Sequence, residues 1–131
     1  MHRSRLALLL STLVAFSSPT LAQVNDAKRA SYRAAFEESL RHPGDAEVLL
    51  KYAQAATAAE DYEGAITAYE RFLVIDADQP RVKFELGVLY YKLKSYDAAR
   101  TYFEAARTST KSTAEIAERS SEFIRDIDRR W

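Results

Sequence analysis

Apolar and polar positions along the 131-residue chain recur mostly three and four residues apart, the interval that places side chains on one face of an α-helix. Tyr32, Phe36 and Leu40 stack at four-residue intervals and predict a first helix over about 27–41, ended by Pro43-Gly44. A second is expected over 46–59, with Asp45 placed to accept hydrogen bonds from its free amide groups. A third, over 62–75, follows Asp61 in the same way, and a fourth follows Asp78 with Pro80 in its first turn, where proline is tolerated. Ser95 is placed to cap a fifth over 96–108. The sixth is expected to begin near Ser112, where Ser112-Thr113-Ala114-Glu115 fits a capping box, and to run to the end. Strand-like alternation is absent, good helix formers dominate, and glycine occurs only at 44, 64 and 87. The expected fold class is all-α.

The chain also resembles itself. Shifted by 34 residues without a gap, 46–79 falls on 80–113, so that Val48 meets Val82, Tyr62 meets Tyr96, Ala65 meets Ala99, and Glu70 meets Glu104. Like meets like elsewhere: Leu50 on Phe84, Ala53 on Gly87, Tyr69 on Phe103. Small residues recur where two helices of a hairpin must approach closely, and aromatics recur where neighbouring hairpins would wedge together. Two helices per 34-residue period is the pattern of a helical solenoid. Two repeats alone leave apolar surface open on both sides. The flanking helices are expected to cover it, Tyr32, Phe36 and Leu40 on one side. The sixth helix covers the other, where Ile116 falls in register with Val82, Ser121 with Gly87, Phe123 with Leu89 and Ile124 with Tyr90.

Leu86-Gly87 followed by Tyr90, Ala99, Phe103 and Ala106 resembles the tetratricopeptide repeat pattern; Tyr52-Ala53, Ala65, Tyr69 and Phe72 match it more loosely. Neither repeat carries the frequent early tryptophan, and Ala56 stands where the second repeat has Tyr90. The resemblance implies a short right-handed solenoid: an N-terminal helix region at 23–45, repeats at 46–79 and 80–113, and a capping helix at 114–131.

Residues 6–16 break the helical periodicity as an almost unbroken apolar run. The run follows a short basic start with Arg3 and Arg5 and precedes Pro19 and the small residues Thr20 and Ala22. That order is the one of a secretory signal peptide over 1–22, cut after Ala22. As a helix the run rises only about 16 Å, too little for the ~30 Å hydrocarbon layer, so a permanent anchor is not expected. A periplasmic or secreted location follows.

The 19 basic and 19 acidic residues balance; losing Arg3 and Arg5 leaves about −2, with both signs mixed along the chain. Neither a nucleic-acid footprint nor a polybasic membrane patch fits that distribution. No cysteine is present, so stability must come from packing without disulfides.

Candidate chemistry is thin. His42, beside Pro43, suits a helix end better than a catalytic role. Glu115, Glu118 and Glu122 share a face with Arg119 and Arg125 interspersed, which suits a solvated surface better than a metal site. No two glycines lie close enough for a phosphate loop. The expectation is therefore no catalysis, no metal and no cofactor, and a protein or peptide partner.

In tetratricopeptide stacks the first helix of each hairpin lines the concave face. Carried over, the resemblance implies groove residues Glu47, Leu50, Gln54 and Thr57 from one helix and Arg81, Phe84, Val88 and Tyr91 from the next. The lysines and asparagines by which part of the family grips C-terminal carboxylates are not matched. The other arrangement open to Leu50, Phe84 and Val88 is packing against the first helix, which closes the groove. More narrowly, 86–91, 96–100 and the closing 127–130 are similar to the periplasmic tetratricopeptide region preceding the outer-membrane β-barrel of surface lipoprotein assembly modifier-like proteins. That likeness implies a module acting beside an outer-membrane protein.

Overall fold

A computed structural model describes residues 17–130. Most of the expected signal peptide, residues 1–16, lies outside the described residues. Six helices follow in order: α1 (Leu21–Arg41), α2 (Ala46–Ala58), α3 (Tyr62–Ile75), α4 (Pro80–Lys92), α5 (Tyr96–Thr108) and α6 (Ala114–Asp128). Among the described residues there is no strand.

The helix ends follow local chemistry, with three corrections. Asp45 accepts from the Glu47 and Val48 amides at 2.9 and 3.1 Å, and Asp61 from the Gly64 amide at 3.0 Å. Ser95 occupies the same position before α5 but makes no capping bond through its side chain. The cap of α6 is Thr113, whose hydroxyl accepts from the Ile116 amide at 3.2 Å; the cap lies one residue after the expected Ser112, and no box forms because the apolar Ile116 stands at the third position. And α1 starts six residues before the expected Ala27, because Thr20 and Gln23 form a reciprocal capping box.

Two antiparallel hairpins, α2–α3 and α4–α5, make up the centre, and their turns are built alike. After α2 the Glu60 amide bonds the Thr57 carbonyl and the Asp61 amide bonds that of Ala56; after α4 the Lys94 amide bonds Tyr91 and that of Ser95 bonds Tyr90. This double closure requires a left-handed residue at its corner, supplied by Glu60 (φ 61°) and Lys94 (φ 60°), which lie 34 residues apart. Within each hairpin the small residues let the backbones close: Ala53, Ala65 and Ala99 are fully buried, and a Cβ on Gly87 would lie 2.7 Å from the Phe103 ring.

One apolar core joins α2 and α3 to Val82, Leu86 and Leu89 of α4; a second joins Phe84 of α4, Ala99, Phe103 and Ala106 of α5, and Ile116, Ile124 and Ile127 of α6. The flanking helix α1 leans on the first core through Tyr32 and Phe36, whose rings sit 5.9 and 5.7 Å from Tyr52. Tyr32 also donates to Asp61, whose carboxylate holds the neutral phenol and raises its pKa. Leu40, expected in the same contact, is instead largely exposed, and the buried Ser39 takes its place on the inner stripe.

Candidate binding cleft

The first helix of hairpin two, α4, has two unlike flanks, and they decide where the molecule is open. Toward α6 it presents Phe84, Val88 and Tyr91, spaced four and three apart on one stripe. Phe84 is 2% exposed, its ring 5.6 Å from Phe103 and 6.1 Å from Phe123. Tyr91 packs edge-on against Phe123 at 5.0 Å and Tyr96 at 5.4 Å, and its hydroxyl donates to Asp126. That bond raises the Tyr91 pKa and lowers that of Asp126. Arg130 donates to the same hydroxyl at 2.9 Å, and Arg100 clasps Asp128 at 2.9 Å. The seam between α4 and α6 is packed around Phe84, and at its other end Tyr91 lines a smaller hollow of about 210 Å³ with Glu122, Phe123 and Asp126.

Toward α2, α4 presents Arg81 and Glu85, one turn apart, and here no Cα of α2 comes within 8 Å of one of α4. A cleft of about 440 Å³ remains between the two flanks, which mix polar with apolar side chains. Leu50, Gln54, Thr57 and Ala58 of α2 form one wall. Gln79, Arg81, Val82 and Glu85 form the other, and Tyr69 and Phe72 of α3 the floor. Burial, and secondarily the nearby Glu85 carboxylate, push the Tyr69 hydroxyl up to about 12.

Of the residues implied by the resemblance, Leu50, Gln54, Thr57 and Arg81 therefore meet at one cleft. Glu47 is exposed in the first turn of α2, outside the lining. The expected placing of Phe84, Val88 and Tyr91 in that groove is corrected: α6, rather than α1, covers them, because Ile116 and Phe123 offer that stripe apolar partners. Ala58, Gln79, Val82, Glu85, Tyr69 and Phe72 were missed as lining. The register held the signal for the last two, since an interior aromatic on the second helix of a hairpin lies beneath the gap between first helices.

A tetratricopeptide repeat model, described as TPR repeat, matches residues 53–94, and a second, described as tetratricopeptide repeat, matches 76–113. No curated protein matches the chain in sequence. Among solved structures it is similar to PcrH in complex with the chaperone binding region of PopD, at 21% identity and TM-score 0.66, covering 90% of this chain and 98% of that one; PcrH is from Pseudomonas aeruginosa. It is similar too to the type III secretion translocator chaperone SycD of Yersinia enterocolitica, at 19% identity and TM-score 0.66, covering 91% and 90%. SycD in complex with a peptide of the translocator YopD matches at 20% identity and TM-score 0.63, covering 88% and 98%. At such identities these likenesses show the fold. The chain carries tetratricopeptide repeats over residues 53–113, set in an all-helical stack closed at its C-terminal side by α6.

Proposed function

We propose that this protein is an exported, non-catalytic interaction module that binds a segment of another polypeptide in the cleft between α2 and α4. The single observation that carries the reading is that cleft, about 440 Å³ with an aromatic floor, lying where no Cα of α2 comes within 8 Å of one of α4. An apolar floor with polar walls suits a short peptide segment. The structurally similar PcrH and SycD are seen with segments of PopD and YopD, which supports a polypeptide ligand over a small molecule. Export rests on the basic, apolar and small-residue order of 1–22.

A photo-crosslinking residue at Gln54, on the cleft wall, is expected to trap partner chains that the same residue at Glu118, exposed on α6, does not. Equal trapping at both positions would remove the cleft assignment. Intact mass of the chain recovered from the periplasm tests export: a mass beginning at Gln23 is expected, and an unprocessed cytoplasmic chain would count against it. A second reading follows from the likeness of 86–91 and 96–100 to lipoprotein assembly modifier-like proteins, and makes the module the periplasmic part of an outer-membrane export component. Coding DNA beyond the Trp131 codon would then show alternating segments of about ten residues; a stop codon there without them sinks this reading.

A further inference from the structure

The cleft carries two charges that nothing in the fold uses. Several carboxylates along the other seams are engaged: Asp126 with Arg130, Asp128 with Arg100, Glu104 with Arg100 and Arg107, Glu70 with the Tyr90 and Tyr102 hydroxyls. Arg81 and Glu85, by contrast, have no ion-pair or hydrogen-bond partner among the described residues, and they do not pair with each other although they lie four residues apart on α4. Gln54, facing them from α2, is also unbonded among the described residues. A free cation and a free anion one helical turn apart, both lining the same apolar-floored cleft, form a dipolar wall.

Spacing then restricts the ligand. Residues four apart on a helix have their Cβ atoms about 5–6 Å apart. In an extended segment, side chains two residues apart leave the same face at roughly 6.6 Å, and the one between them leaves the opposite face. Resting on the proposed cleft-binding role, we infer that the cleft selects an extended segment in which an acidic and a basic residue flank one apolar residue. The two charges face Arg81 and Glu85, and the apolar side chain turns toward Leu50 and the Tyr69–Phe72 floor. An uncharged apolar segment fills the floor but leaves both wall charges unpaired; with the bound chain running in one fixed direction through the cleft, as the inference requires, a segment with the charges in the reverse order sets like against like, which is the stronger discrimination.

The test uses three fluorescently labelled peptides with identical glycine-serine flanks around Asp-Leu-Lys, Lys-Leu-Asp or Ser-Leu-Ser, titrated at low and high salt against the wild-type chain and against Arg81→Glu combined with Glu85→Arg. Circular dichroism confirms that the doubly exchanged chain stays folded. Wild-type protein is expected to favour one charged order over the other by about three- to tenfold at low salt, the exchanged protein to favour the opposite order, and both preferences to shrink at high salt. Preference for neither order, or the same order in both proteins, overturns the charge inference while leaving an apolar binding cleft intact. Failure of all three peptides to compete with a partner trapped at Gln54 also overturns the inference. Absence of any trapped partner at Gln54 would instead count against the cleft-binding role itself.

Discussion

Single residues in this molecule are held to their tasks by very short distances. Glu60 and Lys94 take the left-handed conformation without being glycine, at a cost of roughly 1 kcal/mol each from the crowding of Cβ against the backbone. Both are exposed, so nothing in their side chains requires retention. Lys94→Gly is expected to stabilise the chain by about 0.5–1 kcal/mol, raising the thermal midpoint a few degrees; a lowered midpoint would show that the corner is not strained. Gly87 is the opposite case. A Cβ there would press on Phe103, which is fully buried and stacked 4.6 Å from Phe123, so the ring has nowhere to go. Gly87→Ala should cost about 1–3 kcal/mol in urea unfolding, and Phe103→Leu in the same chain should recover part of it. No loss in the single variant would mean that the hairpin is looser than its contacts imply. Gly64 has a related role: a Cβ there would sit 2.3 Å from the Asp61 carboxylate that caps α3, so its smallness keeps the cap in place.

Helices and their ends were legible in the residues to the extent that the deciding contacts were local. Asp45 and Asp61 mark their helices because the amides they satisfy lie within three residues, and Pro80 because a first-turn position needs no amide donor. The 34-residue shift exposed both hairpins because each buries its small and aromatic residues in the same register. The start of α1 was not legible, since the Thr20–Gln23 box sits inside a stretch that also reads as a signal-peptide end. The Ser95 side chain fails as a cap for want of a bond that Asp61 makes. For α6 the helix was evident, but its depth of contact was not. Phe123 ties three aromatic rings together, Phe103 at 4.6 Å, Tyr91 at 5.0 Å and Phe84 at 6.1 Å. Phe123→Ala is therefore expected to destabilise by about 2–4 kcal/mol, the half-buried ring placing it below the largest core truncations. It should also increase hydrogen exchange in α6 before that in α2. Protection lost evenly along the chain would argue against α6 as a separately docked element.

At the scale of the whole molecule, the cleft was half visible in the repeat register. A register says which residues face the neighbouring first helix, but not whether that neighbour closes. Closure was settled by the opposing flank, apolar for α6 and of mixed polarity for α2, and so by residues distant along the chain. The same stack gathers tyrosine hydroxyls into its seams, which gives it a directional response to alkali. Burial pushes Tyr69 up to about 12, and burial with a hydrogen bond to Glu70 does the same for Tyr90. Tyr102 is also raised, chiefly by burial, and Tyr32 by its bond to Asp61. In each case the folded state favours the neutral phenol, whereas the unfolded chain ionises near 10. The unfolded chain therefore binds fewer protons above pH 10, and stability must fall as pH rises from about 10 to 12 after remaining insensitive to these groups below 9. For the nearly buried Tyr69 the loss is on the order of 2 kcal/mol, and less for the more exposed Tyr90. Urea midpoints followed by circular dichroism across pH 8 to 11.5 should be flat and then descend. Tyr69→Phe combined with Tyr90→Phe should flatten the descent without abolishing it, because Tyr32 and Tyr102 remain. A descent of equal steepness in the doubly substituted chain would mean that alkali acts elsewhere, through general charge repulsion and not through the seams between hairpins.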